Sequence, residues 1–179
     1  GSRTMVEATL MAFIEGHVER CYINLTRVPD TIGISLLAAA VIKVGQSQII
    51  GGKAAQLEAI LAAVLVAEDL ALKSLSISHG QSSQVPEDTM AGAVVKLNAF
   101  RGNLTAAQLQ EVLTRLASTE DTKLRRLDLE FGWGSFGVRR DLTHLPPEIV
   151  SKALVKLENL RILGQVRLSP QQVAHLFIK

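Results

Sequence analysis

Apolar residues follow two alternating periods along the chain. In Leu124-Arg125-Arg126-Leu127-Asp128-Leu129-Glu130, positions 127 and 129 lie about 200° apart on a helical wheel and so cannot share a helix face. In a strand they point the same way, while Arg126, Asp128 and Glu130 point together to the other side. The same spacing recurs in Val18-x-x-Cys21-x-Ile23, Val44-x-x-Ser47-x-Ile49, Leu72-x-x-Leu75-x-Ile77, Leu97-x-x-Phe100 and Leu157-x-x-Leu160-x-Ile162. Six short strands are predicted. None is stable alone, so each needs its neighbours.

Between the strings the period changes to that of a helix. Residues Thr4 to Gly16 predict a helix with Met5, Leu10, Phe13 and Ile14 on its apolar side. Val28-Pro29-Asp30 is expected to open the second, with Ile32, Leu36, Ala39 and Ala40 as its stripe. Gly51-Gly52 turns the chain into a third, from about Lys53 to Glu68, and Val85-Pro86-Glu87 opens a fourth. Thr105-Ala106-Ala107-Gln108 is a capping box for a helix carrying Leu109, Val112, Leu113 and Leu116. Leu145-Pro146-Pro147 opens the next. Ser169-Pro170-Gln171-Gln172 repeats the box for the last.

The strings begin at 18, 44, 72, 97, 124 and 157. Helices after the odd strings open with Val28-Pro29, Val85-Pro86 and Leu145-Pro146; those after the even strings carry Gln56, Gln108 or Gln172. The repeating unit is therefore a strand–helix pair of pairs, about 52–60 residues long, and periodicity of this kind signals a solenoid. The pattern resembles the leucine-rich repeat family, in particular its ribonuclease-inhibitor-like class. It departs from the family where Gly80, Gly132 and Gln165 replace the usual Asn or Cys. The resemblance implies an α/β horseshoe arc, with about six parallel strands on the concave side and helices on the convex side. It also implies a recognition scaffold, not an enzyme.

On that phase, Arg20, Tyr22, Asn24, Ser74, Ser76, Ser78, Arg101, Arg126, Asp128, Glu130, Asn159 and Arg161 face outward from the strands. A protein or peptide partner is expected there, since a small apolar ligand wants an enclosed pocket. Tyr22, Asn24, Ser76, Arg101, Arg126, Asp128, Glu130 and Arg161 are the candidate contacts. Residues 131–144 read as a loop insertion. Its Trp133 and Phe136, beside Arg139 and Arg140, are residue types that dominate interface hot spots.

Composition narrows the reading further. The longest apolar runs, Ile34 to Ile42 and Ala59 to Ala67, are too short to span a bilayer. The single cysteine, Cys21, excludes an internal disulfide framework and fits a reducing, intracellular setting, the cytoplasm. Asn24-Leu25-Thr26 and Asn103-Leu104-Thr105 match the glycosylation sequon, but no signal peptide or disulfide supports secretion. The net charge of +2 divides unevenly. Residues 1–120 hold 9 Lys/Arg against 11 Asp/Glu, and residues 121–179 hold 10 against 6. That basic bias is well short of a nucleic-acid footprint.

Gly1-Ser2 reads as a tag scar, and 3–179 as one solenoid segment excised from a longer protein. Val173, Leu176 and Phe177 are expected to be under-covered and to favour self-association. Gly132-x-Gly134-x-x-Gly137 matches a nucleotide fingerprint, but no helix follows at once to receive a pyrophosphate. Arg125, Arg126, Arg139, Arg140, Arg161 and Arg167 offer an RNA-contacting alternative. Histidines 17, 79, 144 and 175 are scattered, so no metal site is expected. Ser76, Ser78, His79, Ser82 and Ser83 lie close in sequence without an acid to orient the imidazole, so no catalytic constellation or cofactor site is expected.

Overall fold

The computed structural model describes residues 2–16, 18–130, 139–159 and 161–177. Strands and helices alternate: α1 Ser2–Glu15, β1 Arg20–Asn24, α2 Ile34–Val41, β2 Gln46–Ile50, α3 Ala54–Val66, β3 Ser74–Ser78, α4 Glu87–Val94, β4 Ala99–Gly102, α5 Ala106–Ser118 and β5 Arg126–Leu129. Then come β6 Arg140–Asp141, α6 Pro147–Leu154, β7 Val166–Arg167 and α7 Pro170–Leu176. Strands β1 to β5 form one parallel sheet in the order of the sequence, and β6 and β7 pair separately. Each of the first five strands starts two residues after the first apolar residue of its string.

The helices form one layer, each packed on the next in chain order. They cover one face of the sheet, because alternate strand residues are buried. Cys21 and Ile23, Ile49, Leu75 and Ile77, Phe100, Leu127 and Leu129 point into the core beside Leu57, Leu61, Leu109 and Leu113. Buried at about 25 cal/mol per Å² of apolar surface, this single continuous core is the main stabilising term. Ser47 is the polar exception on β2. Its hydroxyl donates to the Val41 carbonyl at 3.1 Å and lies 3.2 Å from the Cys21 thiol, so it is buried with partners. Burial pushes the Cys21 thiol up, only partly offset by that serine, which suits a core residue better than a nucleophile.

Three expectations need correcting. Among the described residues the sixth string adds no strand to the sheet. The Asn159 side chain accepts from the Arg161 amide at 3.0 Å and bends the chain into a 3-10 turn over Arg161–Gln165. Ile162 is nevertheless buried, so the apolar spacing kept its core role while losing its strand. The second helix starts at Ile34 behind Gly33, not at Pro29, which closes a turn with Ile32. Its buried side is Leu37, Ala38, Ala40 and Val41, because a helix that is apolar all round does not reveal its phase. Met5, finally, is largely exposed.

The odd and even units are locked by different devices. In α5 the Thr105 side chain accepts from the Gln108 amide at 3.0 Å, while Gln108 Oε1 accepts from the Thr105 amide at 2.9 Å. Gln108 Nε2 then reaches back to the preceding turn, donating to the carbonyls of Ser82 and Val85 at 2.9 Å each. Gln172 repeats this on Leu142 and Leu145, at 2.7 and 2.8 Å. At the other helix end, Lys96 Nζ donates to the carbonyls of Leu65, at 2.9 Å, and Ala67. Lys156 Nζ does the same for Leu116 and, at 2.7 Å, Thr119. Both place a cation on carbonyls that α3 and α5 leave unsatisfied.

Candidate functional site: the open face of the sheet

No described residue covers the face of the sheet away from the helices, and the parallel register arranges its side chains in rows. Tyr22, Gln48, Ser76, Arg101 and Asp128 stand side by side across all five strands. Arg20, Gln46, Ser74, Ala99 and Arg126 form the row before them. Asn24, Ile50 and Ser78 begin the row after. Tyr22, Gln48, Arg101 and Arg126 are exposed, whereas the serines and Asp128 sit lower and are half-buried. Gln48, Ser76, Arg101, Arg126 and Asp128 border a shallow hollow of 280 Å³ at the middle of the face.

The carboxylates here already have partners. Glu130 Oε1 lies 3.3 Å from Arg101 Nε and accepts from the Ser78 hydroxyl at 3.2 Å. Asp128 Oδ1 accepts from Asn159 Nδ2 at 3.1 Å. Arg101 is exposed and Glu130 half-buried, so the pair is partly screened by water and orients side chains more than it stabilises the fold. Arg20 and Arg126 have no ion-pair partner among the described residues. A surface of fixed acceptors, small hydroxyls and free guanidinium groups can bind an extended or protruding polar segment.

Seven of the expected contact residues therefore share one face: Tyr22, Asn24, Ser76, Arg101, Arg126, Asp128 and Glu130. Arg161 is exposed but sits in the 3-10 turn beyond β5. Gln46, Gln48 and Ile50 belong to the face as well. The degenerate second string carried the same alternation, but with Ser47 in place of an aliphatic residue its outward side was easy to pass over.

The loop divides. Trp133, Phe136 and the glycines of the 132–137 fingerprint lie outside the described residues, as does His17. Arg139 is exposed. Arg140 is turned inward. Its Nη2 donates to Asn103 Oδ1 at 2.7 Å and to the Glu130 carbonyl at 3.1 Å, and its Nε to the Leu104 carbonyl. Burial draws the guanidinium below its ordinary range without a carboxylate to offset it. Its part is to tie the loop to the ends of β4 and β5, which leaves little of it for a partner.

Both sequon asparagines are also occupied. Asn24 Oδ1 accepts from the Thr26 amide at 3.1 Å, and Asn103 serves Arg140. Asp141 makes the same turn as Asn24. Hydrogen bonds from the Thr143 hydroxyl at 2.6 Å and amide at 2.9 Å hold its carboxyl below the ordinary range. In the serine cluster, Ser82 is buried with its hydroxyl on the Asn103 carbonyl at 3.2 Å, a structural bond. Among the described residues no group of three or more His, Cys, Asp or Glu is placed to hold a metal ion, and no helix is long and apolar enough to cross a membrane. No family model matches the chain, and neither a curated protein nor a solved structure matches it.

Proposed function

We propose that the chain is a leucine-rich-repeat-like solenoid segment whose open sheet face binds a protein or peptide partner. The observation that carries this reading is the uncovered five-strand face, with polar side chains held in register and its carboxylates pre-oriented by Arg101, Ser78 and Asn159. Orientation before binding lowers the side-chain entropy lost at an interface. The horseshoe arc belongs to the same proposal, supported by the sequential strand order and the single layer of helices. So does a non-enzymatic role.

The test is affinity capture from a cell extract with the parent chain and with an Asp128→Lys, Glu130→Lys variant. Reversing two half-buried charges on the face should lower recovery of a specific partner by about tenfold or more, since like charges brought together across an interface cost several kcal/mol. Circular dichroism of the variant confirms that it folds. Equal recovery of every partner by both chains moves the site off the sheet face.

A further inference from the structure

The glutamine clamp is written three times in the sequence and closes only twice. In α5 and α7 the amide nitrogens of Gln108 and Gln172 bridge the two carbonyls of the preceding turn. Those turns are superposable in hydrogen bonding: Val85 N donates to Ser82 O and Leu145 N to Leu142 O. In the first unit Val28 N donates to Leu25 O in the same way, so Leu25 O and Val28 O are the carbonyls Gln56 should reach. Gln56 Oε1 makes its cap, accepting from the Lys53 amide at 2.9 Å. Its Nε2 makes no hydrogen bond among the described residues. A crevice of 580 Å³ occupies that place, bordered by Leu25, Arg27, Val28, Lys53, Gln56 and His79.

A second substitution keeps the crevice open. The loops before α5 and α7 carry Leu104, fully buried, and Leu168, packed on the core. The corresponding loop before α3 is Gly51-Gly52, with φ of +74° and +112°. A Cβ on Gly52 would stand 2.7 Å from Leu25 Cδ1 and 3.1 Å from Leu57 Cδ2, so the backbone itself has sunk onto the core and no side chain fills the space above. His79, on the facing loop, also holds a left-handed backbone, φ 57°. The crevice opens at the carboxyl ends of β1 to β3, the end at which open α/β sheets receive ligands.

Its chemistry is that of an anion site. Arg27, Lys53 and His79 border it, and the one carboxylate present, Asp30, is already 2.9 Å from Lys53 Nζ. The spare Gln56 Nε2 offers two more N–H donors. The start of α3 is not what recognises the ligand, because the amides of Lys53 and Ala54 are taken by Gln56 and Gln81 side chains. Two cationic side chains, an imidazole and the amide donors suit a phosphate better than a single carboxylate. The volume lies in the range of small-molecule sites. We propose that this crevice binds a phosphate group, as the free ion or on a small ester, independently of the partner surface on the sheet.

The probes are inorganic phosphate and phenyl phosphate, titrated into the full chain labelled with 15N. Amide shifts should be confined to residues 26–28, 30, 51–56 and 79. A tighter response to phenyl phosphate assigns the site to esters, and an equal response assigns it to the free ion. Arg27→Ala should weaken binding about tenfold or more, as should Lys53→Gln, which provides a second reading should the first variant misfold. His79→Asn keeps the left-handed backbone while removing the imidazole. Absence of shifts up to about 20 mM, well above the millimolar range of a weak site, overturns the proposal. So do shifts spread over arginines elsewhere, or binding that Arg27→Ala and Lys53→Gln leave unchanged.

Discussion

Gln108→Leu should destabilise the fold by about 3 kcal/mol or more, against under about 1 kcal/mol for Gln56→Leu. Both side chains occupy the third position of a helix and both cap it. Gln108 is buried, and its loss strands two carbonyls, on Ser82 and Val85, as well as the Thr105 amide. Buried polar groups without partners cost roughly 1–3 kcal/mol each, and leucine supplies no donor. Gln56 holds only the Lys53 amide, in a more open setting. Urea unfolding of the two variants measures the difference as a shift in midpoint at unchanged slope. Equal losses would mean that the bridge to the preceding turn contributes nothing.

Arg140→Ala should cost about 2–3 kcal/mol, because hydrogen bonds to a charged donor are each worth roughly 1.5–3 kcal/mol and part is recovered by water at this half-buried site. The guanidinium fork serves acceptors from three residues, Asn103, Leu104 and Glu130. Arg140→Lys should restore only a fraction, since one ammonium cannot satisfy the same planar arrangement. Hydrogen exchange at the amides of Asn103 and Glu130 should quicken in both variants. A surface arginine would show none of this, so a stability change within about 0.5 kcal/mol would return Arg140 to the proposed partner surface.

The strands were legible because one face of each is buried. Period-2 alternation in Leu127 and Leu129, or Leu75 and Ile77, leaves a single phase that fits the core. The capping boxes were legible for a similar reason, since Thr105 and Gln108 act within one turn. What the sequence hid were long-range bonds. Gln108 and Gln172 announced a cap, but their second contact lies on a turn some 23–30 residues earlier. Lys96 and Lys156 carry no local signal in the sequence, yet they clamp the ends of α3 and α5. The sixth string failed for a local reason: Asn159 favours a turn where the apolar spacing asked for a strand.

The open sheet face was legible in outline and less so at its margin. Register alone brings Tyr22, Ser76, Arg101 and Asp128 into one row, so period-2 reasoning was sufficient for them. Arg140 shares its residue type with true surface arginines, and only the position of Asn103 and of the Leu104 carbonyl distinguishes it. Gly51-Gly52 read as a turn. Its second consequence, an unfilled crevice beside Gln56, becomes visible only against the two closed copies.

Site-directed photo-crosslinking tests the role of the sheet face most directly. Benzoylphenylalanine is placed at Ser76, in the middle of the open face, or at Glu58, exposed on α3 in the helical layer, and the chain is irradiated in cell extract. A recognition scaffold that works through its sheet gives discrete adducts from position 76, lost when Arg101→Glu is added, and none above background from position 58. Adducts from position 58 alone, or equal yields from both, would contradict it.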